Sequence, residues 1–133
     1  MHCERSENLK NRVLMCQERF APKVHDGTKS HTIRKSARCK PGALLSLRRW
    51  KGKPYRSKQE ILREAICTAV IQITIGNGPN QDEICIGGIL ADPLTRDRLA
   101  RADGFECATD LLHWFRDVHG LPFSGWLIEW SVV

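Results

Sequence analysis

Between Gly27 and Gln59 the sequence has no aspartate and no glutamate, while the same stretch carries eleven lysines and arginines. A solvated face ordinarily mixes signs, so this absence argues against a plain exposed surface and for an anionic partner. No apolar run approaches the roughly 18–20 residues of a membrane span, which excludes a membrane role for a helix. Internal repeats and low-complexity segments are also missing. The six cysteines (Cys3, Cys16, Cys39, Cys67, Cys85 and Cys107) include no Cys-x-x-Cys pair. The histidines (His2, His25, His31, His113 and His119) stand at no ligand spacing from them, so no metal site is expected. Cys67 and Cys85 sit in apolar runs, where a reduced cysteine behaves as a small hydrophobe. Met1–Lys10 has no apolar leader core, so a cytoplasmic protein is expected, with no cofactor and as a monomer.

What remains is a chain of 133 residues with 41% hydrophobic content, enough for one domain with a real core. A loose tail is expected at residues 1–10 and the folded domain over 11–133. The net charge of +6 divides unevenly. Residues 1–63 hold 17 basic and 5 acidic side chains (+12), and residues 64–133 hold 4 and 10 (−6).

The spacing predicts a short strand in Arg12–Phe20 and a short helix from Phe20 that stops at Gly27. Strands follow at Ser30–Arg34 and, after a Pro-Gly turn, at Ala43–Trp50, with Leu45 and Leu47 facing the core. The basic loop "KGKPYRSKQ" leads to a long strand over Arg63–Gly76, with "EICIGGIL" as its hairpin partner. Gly87 and Gly88 suggest a bulge or a close backbone approach there. Two helical pieces follow, broken at Asp103-Gly104, with Thr109 or Asp110 capping the second. The strand "SGWLIEWSVV" closes the chain. This is an α+β protein of about six strands and two or three short helices, with enough strands to close a small β-barrel.

The stretch "GTKSHTIR", Gly27–Arg34, is the odd one. Strict alternation puts Lys29, His31 and Ile33 on one face and Ser30, Thr32 and Arg34 on the other. Such a strand has little to pack with on either face. It is either a poor edge strand or one whose polar side chains line something that needs them.

These residues carry a resemblance. "HDGTKSHTIR", "KPGALLSLRRW", "LARADGFECATDLLHWF" and "WLIEW" follow one another as in the ASCH domain family, a branch of the PUA-like superfamily, over about residues 14–133. The resemblance implies a small PUA-like barrel with helices over one opening and a cleft that binds RNA or a modified base. Some small bacterial members remove the acetyl group from N4-acetylcytidine, and others are described as ribonucleases. Their catalytic lysine and threonine fall on Lys29 and Thr32, and the catalytic glutamate falls on Asp103, one methylene shorter here.

The chemistry asks for a nucleophile, a proton acceptor and something to steady an oxyanion. Thr32 is the candidate nucleophile, Lys29 the base and Asp103 a positioning group. Lys29 and Thr32 are three apart, so the set requires a bulge at "KSHTI", or Lys29 in the bend before regular strand geometry begins. Arg34, Lys35, Arg48, Arg49, Lys51 and Lys53 are candidate phosphate contacts, and His31, Trp50 and Tyr55 candidate base contacts. Bland alternatives stand beside each: threonine is a good strand former, Asp before Gly is a turn residue, and Trp114, Trp126 and Trp130 have core spacing. The expected partner is RNA, single-stranded DNA or a modified cytidine nucleoside. An amidohydrolase, a ribonuclease and a non-catalytic binding module are the competing functions.

Overall fold

The structure, a computed structural model, describes residues 11–133; the expected N-terminal tail lies outside them. Described residues form strands β1 (Arg12–Met15), β2 (His31–Arg34), β3 (Leu44–Trp50), β4 (Gln59–Asn77), β5 (Glu83–Ile86), β6 (Ile89–Leu90) and β7 (Phe123–Val132). The helices among them are α1 (Ala21–Asp26), α2 (Pro93–Ala102) and α3 (Ala108–Val118). The mixed α and β content is that expected, and no helix is long and apolar enough to cross a membrane.

The strands run in the order β1-β3-β4-β5-β6, with β7 against β4 and β2 against β7. Among the described residues no strand pairing joins the ends of this order. The chain divides into two compact units. The first holds the chain up to Ser30, Arg38–Val70 and Glu129–Val133; the second holds His31–Ala37 and Ile71–Ile128.

In the first unit β1 runs parallel to β3, and β3 is antiparallel to β4 from Leu44↔Ile66 to Trp50↔Gln59. Leu45, Leu47 and Ala65 are wholly buried, as alternation along β3 predicts, while Ser46 and Arg48 are half-buried. Phe20 and Val24 stack at i, i+4 into this core. Helix α1 ends at Gly27, whose φ of 87° is the left-handed C-cap that glycine adopts without strain.

In the second unit β5 pairs with β4 and folds back on β6, with Cys85 opposite Leu90 and Ile86 opposite Ile89. Gly87 and Gly88, at φ 60° and 82°, are therefore the two-residue turn of a hairpin, not a bulge. Ile73, Ile75, Ile84, Leu111, Phe115 and Ile128 form the core of this unit. Helix α2 starts at Asp92, whose Oδ1 accepts from the Thr95 N–H at 2.8 Å. Helix α3 is not capped by Thr109 or Asp110: its N-cap is Cys107, and Asp97 Oδ1, reaching from α2, accepts the Ala108 N–H at 2.9 Å. Cys16, Cys39, Cys67, Cys85 and Cys107 are free thiols.

Candidate functional site

Strand β2 is not a wet edge strand. His31, Thr32 and Ile33 are all buried, so both faces of a short polar strand are covered. Of the described residues, the buried polar and charged ones are Lys29, His31, Thr32 and Asp103, at 4%, 3%, 7% and 4% exposure. The proposed catalytic set and its neighbouring histidine thus coincide with the buried polar groups. Burying such groups is costly unless they are paired, and proteins keep them where they are used.

Each is placed by an identifiable local device. Lys29 lies in the first unit, before β2 begins, in the bend that the Gly27 cap opens. Its backbone N–H donates back to the Lys23 carbonyl at 2.9 Å, and Asp26 Oδ1 accepts the Thr28 N–H at 2.8 Å. Its Nζ stands 4.9 Å from the centroid of the Phe20 ring, a face that attracts an ammonium. Lys29 thus precedes regular strand geometry, which begins at His31. Arg63, which sequence reasoning passed over, packs beside Gly27: a Cβ there would stand 3.3 Å from its guanidinium.

In the second unit, Asp103 is the C-cap of α2. The Phe105 N–H donates to the Ala100 carbonyl at 2.8 Å and the Gly104 N–H to that of Arg101 at 3.0 Å, with Gly104 at φ 101°. This is a Schellman closure, and it explains the order Asp-Gly-Phe: glycine for the left-handed residue, then an apolar residue, Phe105, that is 2% exposed. A turn does not explain why Asp103 itself is buried. A carboxylate at a helix C-terminus faces the negative end of the helix dipole, an unfavourable place that needs a compensating partner. His31 is one such partner, with Nε2 at 3.6 Å from Asp103 Oδ1, within ion-pair reach though longer than a hydrogen bond.

Thr32 makes a different contact. Arg34 Nε donates to Thr32 Oγ1 at 3.1 Å, as two residues on the same face of a strand can. A guanidinium cannot serve as a base, but its charge-assisted bond orients the hydroxyl and favours an oxyanion at that oxygen. Alternation along β2 sends His31 and Thr32 to opposite faces, so the strand separates a His31–Asp103 side from a Thr32–Arg34 side. Arg34, expected to meet phosphate, is thus turned onto Thr32.

The other expected contacts spread over both units. Lys35 is exposed in the second unit. In the first, Arg48 donates to Ser46 Oγ at 2.8 Å and to Gln59 Oε1 at 3.0 Å, and Arg49 pairs with Glu60 at 2.6 Å. That pairing holds the Glu60 carboxyl below its usual range. Arg48 and Arg49 are therefore engaged across the β3–β4 ladder. Lys51 and Lys53 are exposed and form no salt bridge among the described residues. Trp50 and Tyr55 line a separate pocket of the first unit, whose walls include none of Lys29, Thr32 and Asp103. Among the described residues no group of three or more His, Cys, Asp and Glu side chains is arranged to hold a metal ion. No family model, no curated protein and no solved structure matches the chain.

Proposed function

We propose that this protein binds a modified cytidine and hydrolyses the acyl amide on its exocyclic nitrogen, with Thr32 as nucleophile. The observation that carries the reading is that Lys29, Thr32 and Asp103, the residues on which the ASCH resemblance places the catalytic set, are among the buried polar residues, with His31 beside them in the sequence. In the reaction the Thr32 oxygen attacks the acetyl carbonyl carbon while its proton passes to a base. The tetrahedral oxyanion collapses, the C–N bond breaks and cytidine leaves with its N4 protonated. Water then hydrolyses the acetyl ester on Thr32 to acetate. Arg34, bonded to Thr32 Oγ1, favours the oxygen as it loses its proton. Lys29 enters as the base by the resemblance and by its burial alone. Asp103 likewise enters as a positioning group by the resemblance and by its burial alone.

The test is a product assay by mass, with N4-acetylcytidine and, separately, a short mixed-sequence RNA. Loss of the acetyl mass is expected, and Thr32→Ala and Lys29→Ala should each lower turnover at least a hundredfold with an unchanged melting temperature. Turnover that survives both substitutions overturns the assignment. A second reading has its own observation: the exposed, unbridged lysines and arginine of the β3–β4 loop suit a polyanion. Unchanged N4-acetylcytidine together with salt-dependent RNA binding would make the protein a binding module, and RNA shortening a ribonuclease.

A further inference from the structure

We infer that the β3–β4 loop holds a site for one base of a single-stranded nucleic acid, built on Trp50 and Tyr55. The inference rests on the polyanion reading of this loop and not on hydrolysis at Thr32. The loop, residues 51–58, is ordered by its own hydrogen bonds. The Lys51 N–H donates to the Lys58 carbonyl at 2.9 Å and the Arg56 N–H to that of Lys53 at 3.1 Å. Ser57 Oγ accepts the Gly52 N–H and donates to the Lys53 carbonyl, each at 2.9 Å.

This folding opens a pocket of about 330 Å³ whose walls include Met15, Gln17, Glu18, Trp50, Pro54 and Tyr55. Its size is that of a small-ligand site, and its lining is aromatic and apolar with a few polar groups at the edge. The Trp50 and Tyr55 ring centroids are 5.1 Å apart with planes tilted by 49°, so the rings form a wedge and not a closed stack. Tyr55 is 88% exposed, the largest value among the exposed apolar and aromatic side chains described. It also sits at φ 65°, a conformation uncommon for a non-glycine residue and costly for a bulky one. A loop needing only a turn would place glycine or asparagine there. The tyrosine is held out at a conformational cost, with its ring surface in water.

Charge selects the occupant. Lys51, Lys53, Arg56 and Lys58 lie on the same loop as Tyr55, are exposed and form no salt bridge among the described residues. A flat aromatic group attached to a run of phosphates satisfies both halves of this surface: the base enters against Tyr55 and Trp50, and flanking phosphates meet the cations. Gln17 and Glu18 at the rim offer donors and an acceptor to the base edge. A duplex, whose bases are stacked inside, satisfies only the charges.

The experiment measures binding of the full chain to a fluorescein-labelled 12-nucleotide RNA without internal pairing, to the DNA of the same sequence, and to the RNA annealed to its complement, over a salt series. Tyr55→Ala should weaken single-strand binding about tenfold, leave the salt slope unchanged and change duplex binding less than twofold. Tyr55→Phe should restore single-strand binding, and Lys53→Glu with Arg56→Glu should flatten the slope on both strands and duplex. Equal loss on RNA and DNA identifies base stacking; loss on RNA alone adds recognition of the 2′-hydroxyl, and both support the site. Wild-type affinity in Tyr55→Ala, or equal losses on single strand and duplex, overturns the base site while leaving the polyanion reading standing. If wild-type protein binds none of the three, the polyanion reading fails and the base site with it.

Discussion

Gly125 in β7 lies close against the strand of the candidate nucleophile, and Gly125→Ala is the perturbation that tests this. A Cβ built there lies 2.5 Å from the Arg34 carbonyl oxygen and 2.8 Å and 2.9 Å from two atoms of the Phe123 ring. Side-chain β-carbons are essentially never found under 3.0 Å from such atoms, so the gap to Arg34 must open by about 0.5 Å (3.0 less 2.5). The ring can swing aside; a backbone carbonyl of a paired strand cannot do so without moving β2. Overpacking of this kind costs about 1–3 kcal/mol. For a chain of this length that lowers the melting temperature by about 4–10 °C. Because β2 moves with Arg34, Thr32 moves as well, and turnover should fall further than the stability loss accounts for. Circular dichroism melts and the deacetylation assay measure the two effects. Gly88→Ala is the control: it has open space within 4 Å but φ 82°, so it should cost only the left-handed penalty of about 1 kcal/mol. The double variant Phe123→Ala, Gly125→Ala separates ring from carbonyl, and it should stay destabilised. If Gly125→Ala melts within a degree of the wild type, the reasoning about β2 and β7 is refuted.

The Cys67 thiol, 1% exposed, is pushed up to about 12 by burial first and then by Cys39 beside it. The folded chain then keeps a proton that the unfolded chain gives up above about pH 9, so this contribution to stability is full below pH 9 and is lost as pH rises toward 12. Denaturant melts should show that loss, Cys67→Ala should flatten it, and iodoacetamide should leave Cys67 unlabelled in the folded protein at pH 8. His119 packs its ring against Trp114, Phe115 and Phe123, and its pKa is lowered from 6.5 by burial and then by Lys35. The unfolded chain binds that proton first, so stability should fall as pH drops below 6.5. His119→Gln should flatten that acid limb, and an NMR titration should put His119 below 6.5.

Much of this architecture is legible in the residue pattern, because local rules decide it. Alternation fixes Leu45 and Leu47 inward, the Phe20–Val24 spacing and Gly27 fix α1 and its end, and Asp103-Gly104 ends α2. The misreadings have a common cause in long-range partners. Gly87-Gly88 reads as a bulge or a close backbone approach because the two-residue turn depends on how Ile86 and Ile89 pair. Thr109 and Asp110 are plausible caps until Asp97, eleven residues before Ala108, takes the N–H first. The polar strand His31–Arg34 gives no sign of being buried, since what covers it includes β7, about 90 residues later in the chain. The motif singles out Lys29, Thr32 and Asp103, but it shows neither their burial nor Arg34's turn onto Thr32. Arginine in a basic block reads as a phosphate contact until a hydroxyl two residues away is seen to accept from it.

The pairing of β2 with β7 also sets an order in time. On the ribosome, residues 31–34 emerge well before the strand they pair with, so β2 lacks that ladder partner until the ten-residue β7 is made. The Ser30 carbonyl, just ahead of β2, waits likewise for the Trp130 N–H that it accepts at 3.1 Å. Closing so long a loop is slow, because its entropy must be spent before the contact rewards it. Until then a nascent chain would hold Thr32 and Arg34 in an unpaired segment, without the fixed geometry that a nucleophile requires. A chain stalled or clipped before Phe123 would carry every residue of the proposed catalytic set and be unable to arrange them.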